Sequence, residues 1–197
     1  MKYFNLNPSC LQHFLKICST FALLILSSVF TLQAAALSES EKNMLLDQFV
    51  EIPSSVIKAE NFSGKMLDGK VHNLSDFKGK WVFLNFWATW CTPCLREMPD
   101  MEALHQKFGK QGFVILAVGM GESIKKSKAF LKRHKFTFAM MADPEGSISQ
   151  LYGVSSIPVT FLITPEGEIV ARAIGPRTWA NKIFMKFFNK KLSSKKP

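Results

Sequence analysis

From residue 61 onward, apolar runs alternate with polar stretches that carry glycine and proline, and this alternation predicts a regular order of elements. Trp81-Val82-Phe83-Leu84-Asn85-Phe86-Trp87 is almost continuously apolar, rich in aromatic and branched residues and too short for a typical helix. It predicts a central strand buried on both faces, which implies parallel neighbours and helices covering the sheet. Thr92 to Phe108 reads as a helix interrupted only by Pro99 and ending near Gly109. Phe113 to Val118 predicts a second buried strand, and Ser123 to His134 a second helix with Ile124, Phe130 and Leu131 inward. Phe138 to Met141 reads as a short strand and Ser147 to Tyr152 as a helical turn. Val159 to Ile163 and Glu168 to Ala173 flank Thr164-Pro165-Glu166-Gly167, a type I turn sequence, and so predict a hairpin. Trp179 to Leu192 predicts a closing helix whose inner stripe is Trp179, Ile183, Phe184, Phe187 and Phe188.

Upstream, Phe62 to Leu74 reads as a hairpin turning at Asp68-Gly69, after which Ser75 caps a brief turn closed by Gly79. Leu37 to Ile57 reads as a short helix capped by Ser38 or Ser40, with Met44, Leu45, Leu46 and Phe49 apolar and Pro53 ending it. The chain thus divides into an N-terminal segment 1–36, a helical extension or linker 37–60, a domain 61–192 and a polar tail 193–197. Crossovers first and an antiparallel hairpin second predict an α/β sandwich with a central mixed sheet flanked by helices.

The N-terminal segment has no acidic residue, carries Lys2 and Lys16, and then runs uncharged from Ile17 to Ser38. Phe21 to Leu32 has the length of a signal-peptide apolar region, and Ala34-Ala35-Ala36 supplies small residues for cleavage before Leu37. The uncharged run is also long enough to serve as an uncleaved anchor. Either fate, with lysines upstream and Glu39 and Glu41 downstream, predicts an exported body, periplasmic or anchored to the outer face of the cytoplasmic membrane. Leu15-Lys16-Ile17-Cys18 is a poor lipoprotein site, because Lys16 and Ile17 stand where small residues belong.

The net charge of +10 comes from lysines and arginines spread along the chain, densest at the C-terminus. No basic stripe interleaved with aromatics is visible, which argues against a nucleic-acid partner. The charge suits solubility or an anionic membrane surface instead. Asn61 and Asn73 open glycosylation-type triplets, a short pattern that chance supplies often.

Of four cysteines, Cys10 and Cys18 lie in the N-terminal segment, leaving Cys91 and Cys94 for the body. A ring closed across two residues constrains the unfolded chain little, so stability is a poor reason for the pair. Chemistry is a better one. The pair falls where a buried strand meets a helix, and unpaired N–H groups with the helix dipole favour a thiolate there. Cys91 is therefore the candidate nucleophile, and Cys94, about one turn later, the thiol that displaces a captured partner. Pro93 sits in the first turn, where its missing N–H costs no hydrogen bond. Trp90 has two readings: an apolar surface offered to an unfolded substrate, or ordinary packing.

Phe86-Trp87-Ala88-Thr89-Trp90-Cys91-Thr92-Pro93-Cys94 resembles the active-site segment of thioredoxin-like proteins. Leu95-Arg96-Glu97-Met98-Pro99 narrows the resemblance to exported thiol-disulfide oxidoreductases of the TlpA and ResA kind, and it extends over about residues 61–190 through Asp143-Pro144-Glu145-Gly146, Tyr152-Gly153-Val154 and Ile157-Pro158-Val159. It implies a thioredoxin-like fold, a cis Pro158 beside the dithiol, and an Ile157 backbone that pairs with an extended substrate. It implies that Pro99 kinks the active-site helix. It implies that Glu97 is the acidic residue such reductases keep near their cysteines, moving protons or raising a thiol pKa; as a bare helix position Glu97 reads as a solvated glutamate. Asn85 stands where ordinary thioredoxin has a buried aspartate, so Glu97 is the substitute candidate. The resemblance further implies disulfide-bearing client proteins, among them apocytochrome c and copper-site proteins, and a membrane thiol-reducing electron donor. No cofactor is implied beyond the Cys91–Cys94 disulfide itself.

Two alternatives stay open. A copper-handling thioredoxin-fold chaperone uses two cysteines and a distant histidine, usually with three residues between the cysteines rather than two. A disulfide-donating oxidase usually carries a large helical insertion, for which the interval from Phe113 to Pro158 leaves little space. A zinc site lacks a second cysteine pair, and His72, His105 and His134 are scattered surface or core residues. A peroxidase lacks its lone reactive cysteine in a loop of its own.

Overall fold

The computed structural model describes residues 37–193. The readings for 1–36, with Cys10, Cys18 and the cleavage site, lie outside the described residues, as does 194–197 of the tail. The elements are α1 (Glu39–Leu46), β1 (Ile57–Lys58), β2 (Ser63–Met66), β3 (Val71–Asn73), a 3-10 turn (Leu74–Phe77), β4 (Trp81–Trp87), α2 (Thr92–Phe108), β5 (Phe113–Met120), α3 (Ile124–His134), β6 (Ala139–Asp143), α4 (Ser147–Leu151), β7 (Val159–Ile163), β8 (Glu168–Ile174) and α5 (Lys182–Ser193). Eight strands form one mixed sheet in the order β1-β8-β7-β4-β5-β6-β2-β3. β4, β5 and β6 are parallel, while β7 runs antiparallel on the other side of β4.

β4 is buried at all seven positions. Its alternate residues face opposite ways, as the pleat requires. Phe83 and Trp87 join the core built with Met98, Met101 and Leu104 of α2 and Phe184, Phe187 and Phe188 of α5, whereas Val82, Leu84 and Phe86 join Leu116, Ile148 and Phe161 on the other face. Asn85 falls in the first set by parity, so a polar side chain points from the sheet toward α2. α2 continues through Pro99 without ending there.

Several expectations are corrected. α1 is capped by Ser38, one of the two expected caps, but it stops at Leu46, well before Pro53. The chain is diverted there by long-range pairing, the Glu51 and Arg172 main chains exchanging hydrogen bonds at 2.7 and 2.8 Å. Leu45 is fully buried, but the ring of Phe49 is 84% exposed, with φ 56° in the left-handed region. Asn73 rather than Ser75 precedes the 3-10 turn, and Ser75 N–H donates to Asn61 Oδ1. Trp179 lies ahead of α5, whose first turn is capped by Asn181 Oδ1 accepting from the N–H groups of Ile183 and Phe184. Ser193, placed in the tail by sequence, belongs to α5.

The N-terminal extension is fastened to the last helix by Glu41, which is buried and ion-paired with Lys191 at 2.7 Å and Lys190 at 3.1 Å, while Ser38 N–H donates to it at 2.8 Å. Burial opposes its charge, but the bonds from Lys191, the Ser38 backbone and Lys190 outweigh that and hold its pKa down at about 2. A folded pKa below the unfolded one stabilises above the unfolded value of 4.5, and the contribution is lost as pH falls through about 2. Glu41→Gln is expected to lower unfolding free energy at neutral pH by roughly 1–3 kcal/mol in urea titrations. That deficit should shrink toward zero near pH 2; a deficit that persists there contradicts the assignment.

Candidate active site

The parallel pair β4 and β5 directs the chain out of the sheet at Trp87, and α2 begins five residues later. Cys91 is the N-cap of α2, with φ −85° and ψ 92°, and its Sγ accepts from Cys94 N–H at 3.2 Å. Pro93 occupies the first turn, where no N–H is needed. Cys91 and Cys94 are joined in a disulfide, S–S 2.02 Å, and both are buried. The sulfur of Cys91 lies 3.8 Å from the carbonyl oxygen of Ile157, and the Ile157–Pro158 bond is cis. The loop leading into β7 therefore sits beside the disulfide. Trp90 is 67% exposed next to it, which sets aside the packing reading of this side chain.

Glu97 is not a solvated helix residue. It is 2% exposed and one turn beyond Cys94. Its Oε1 accepts from Asn85 Nδ2 at 2.8 Å; its Oε2 accepts from Trp179 Nε1 at 2.9 Å and from Arg177 N–H at 3.2 Å. Asn85 Nδ2 also reaches Thr160 Oγ1 at 3.0 Å. Burial pushes the Glu97 carboxyl up to about 7, and the three N–H donors with the nearby Arg177 charge restrain the rise. Every one of these partners is a donor, so the cage suits the carboxylate while desolvation suits the acid. The group is poised between its two forms near neutrality.

A second buried carboxylate braces the loop before the cysteines. Glu122, fully buried, accepts from Thr89 N–H at 3.0 Å, Thr89 Oγ1 at 2.8 Å and Lys126 Nζ at 3.1 Å through one oxygen. Sequence reasoning missed Glu122 and Arg177, for which no motif gives a signal. It read Trp179 only as part of an apolar stripe, and it noticed Asn85 only as a departure from aspartate.

The structure brings Cys91, Cys94, Pro93, Ile157, Pro158 and Trp90 together, with Glu97 one helical turn inward. It keeps the histidines apart: His72 faces Asp76 at 3.5 Å, and His134 stacks on Phe130 with ring centroids 4.2 Å apart. Among the described residues no group of three or more His, Cys, Asp and Glu is arranged to hold a metal ion. A cavity of about 420 Å³ lined by Leu74, Phe77, Val82 and Ile163 opens at the other end of β4, away from the disulfide.

Residues 57–172 match the AhpC/TSA family. The chain is 40% identical over 158 residues to thiol-disulfide oxidoreductase ResA of Bacillus cereus, an alignment that covers 79% of this chain and 86% of the relative. ResA of Bacillus subtilis is 43% identical over 120 residues, covering 61% and 67%. A thiol:disulfide interchange protein of the thioredoxin family from Chlorobium tepidum superimposes with a TM-score of 0.60 at 28% identity, over 69% of this chain and 99% of that one. The fold is thioredoxin-like.

The Glu97 cage has a measurable consequence in the oxidised protein, where neither thiol titrates. A folded pKa of about 7 lies above the unfolded value, so the group's contribution is fully present below about 4.5 and lost as pH rises through 7. The stability of the parent relative to Glu97→Gln is expected to fall by about 3 kcal/mol across that window and to be level outside it. A difference that is flat from pH 4 to 8 contradicts a burial of Glu97 that outweighs its three donors.

Proposed function

We propose a division of labour for this chain, which belongs to the AhpC/TSA family and is a thiol-disulfide oxidoreductase: Cys91 attacks the client, Cys94 releases it, and Glu97 takes and returns the proton. The observation that carries this reading is the single helix start that holds Cys91 as its N-cap, Cys94 one turn on and a buried, donor-caged Glu97 one turn further.

In the reduced enzyme the Cys91 thiolate attacks one sulfur of a client disulfide. The client S–S bond breaks, a Cys91–client disulfide forms, and the departing client thiolate takes up a proton. Cys94 then gives its proton to the Glu97 carboxylate and attacks the Cys91 sulfur. The mixed disulfide breaks, the second client sulfur leaves as a thiolate, and it is protonated in turn. Two electrons have passed to the client, and the Cys91–Cys94 disulfide remains to be reduced again. The Ile157 backbone beside the Cys91 sulfur lines up an extended client segment in this reading, in the manner of strand addition, and the exposed Trp90 supplies an apolar contact.

Two electrostatic effects oppose each other at the sulfurs. The start of α2 favours thiolate at Cys91, whereas an ionised Glu97 close to Cys94 disfavours a second negative charge. Above neutrality the carboxylate keeps Cys94 protonated until a client on Cys91 has removed the competing charge. This ordering holds back the attack of Cys94 on the Cys91 sulfur until a client is joined to it.

The reading extends to an extracytoplasmic reductase, supported by the uncharged N-terminal run with Ala34-Ala35-Ala36 and by the basic-to-acidic change across it. Its clients are exported proteins with exposed disulfides, apocytochrome c haem-attachment cysteines and copper-site cysteines included, and a membrane thiol-reducing partner renews the dithiol. Among the described residues no helix is long and apolar enough to cross a membrane.

Cys94→Ala is expected to accumulate covalent protein adducts on Cys91 in cells, released by reductant and identifiable by mass spectrometry; Cys91→Ala is expected to accumulate none. Client cysteines should be more oxidised in a strain lacking the protein. Adducts trapped on Cys94 alone, or clients more reduced without the protein, contradict the assignment.

A further inference from the structure

Two of the three donors on Glu97, Arg177 N–H and the Trp179 indole, come from one loop, residues 175–181 between β8 and α5. That loop is held in turn by the side chain of Arg177. Its Nε donates to the Gln48 carbonyl at 2.9 Å and its Nη2 to the Phe49 carbonyl at 2.6 Å. Its Nη1 donates to the carbonyls of Gly175 at 3.2 Å and Pro176 at 2.9 Å. The planar guanidinium fork is thus filled by main-chain oxygens from two segments far apart in sequence, a task that suits arginine and not lysine. Asn181 Nδ2 adds a bond to Gln48 Oε1 at 2.7 Å.

The partner segment is a turn anchored by the buried Val50 and by main-chain bonds, and the Arg177 fork adds to these at the carbonyls of residues 48 and 49. Phe49 is a non-glycine residue in the left-handed region with its ring in water, so its conformation is fixed through its main chain. The Arg177 fork takes the carbonyls of this turn, and the N–H groups of Phe49, Val50 and Glu51 bond Leu46, Leu45 and Arg172.

We propose that Arg177 is a positioning residue for disulfide exchange: by gripping the carbonyls of residues 48 and 49 it makes the N-terminal extension part of the support that keeps two donors on Glu97. The proposal rests on the reading of Glu97 as proton carrier. The groups that face Glu97 are Arg177 and the neutral Trp179 from the loop, the neutral Asn85 of β4 with Thr160 of β7 behind it, and Cys94 on its own helix, which titrates when reduced, as Cys91 does. Removing Arg177 takes away a positive charge and slackens two donors. Both changes favour the protonated carboxyl, so they act in the same direction.

The test uses the full chain as parent, Arg177→Met, Arg177→Lys and Glu97→Gln, with insulin as the disulfide probe. Two quantities are read: the pH dependence of insulin reduction, and amide hydrogen exchange at residues 49–51 in the oxidised form. The parent profile should bend near pH 7 and the Glu97→Gln profile should lack that bend. Arg177→Met should move the bend upward by about half a pH unit to one unit and speed exchange at 49–51 by about tenfold. Arg177→Lys keeps the charge and loses the fork, so exchange should speed similarly while the bend moves less. Faster exchange with an unmoved bend in Arg177→Met reduces Arg177 to a scaffold residue and overturns the proposal, as does an unchanged pair of readings. If Arg177→Met does not fold, Arg177→Lys decides alone: parent-like exchange overturns the proposal and faster exchange with a small upward shift supports it. A bend that survives in Glu97→Gln defeats the Glu97 reading, and this proposal with it, whereas a bend lost there but unmoved by Arg177 substitution defeats this proposal only.

Discussion

A carboxyl group held out of water one helical turn from a redox-active cysteine is the constraint on which the rest of this structure depends. Leaving Glu97 buried without partners would cost several kcal/mol, by the general penalty for desolvating a charge. The fold supplies three N–H donors from two places, Asn85 on the central strand and the loop bearing Arg177 and Trp179. Each of these sources is fixed by something larger. Asn85 is fixed because β4 is paired on both sides and packed on both faces, and the loop is fixed because Trp179 stacks edge-on against Phe83 at 4.8 Å and Arg177 grips the N-terminal extension.

The same architecture explains why the sulfurs are where they are. A strand buried on both faces leaves the sheet at Trp87, Glu122 clamps Thr89, and α2 starts at Thr92, so Cys91 is held as the N-cap of the helix. The turn before β7 then brings the Ile157 carbonyl to that sulfur. Positive helix end and negative carboxylate act on one dithiol from two sides. In the proposed exchange their balance decides when each thiol ionises, which would tie the step to the protonation of Glu97.

Much of this was legible in the residue pattern, and the part that was not has a common cause. β4 and α2 could be read closely because a seven-residue aromatic and branched run and a capped helical period leave little room for another assignment. The hairpin turns were legible because Gly69 and Gly167 sit at positive φ, at 94° and 82°, where the sequence placed turn glycines. The end of α1, the exposure of Phe49 and the location of Trp179 ahead of α5 were not legible, since each is decided by contacts between residues more than eighty positions apart. Glu97 was found through its neighbours in the motif, but its burial was not, because a glutamate on a helix carries no local sign of which face is covered. Arg177 shows the same gap, because its side chain bonds only main-chain carbonyls, which leave no mark in the side-chain pattern; Glu122 was missed because its Thr89 partner lies 33 positions away.

The titration of Glu97 itself tests this account most directly. Carboxyl carbon chemical shifts of the oxidised protein, labelled at glutamate and assigned with Glu97→Gln, give the midpoint without interference from the thiols. A midpoint near 7 is expected for this one glutamate, set by burial against three N–H donors. A midpoint in the ordinary glutamate range, about 4.3, means that water reaches the carboxylate, and the coupling between Glu97 and the dithiol described above does not exist.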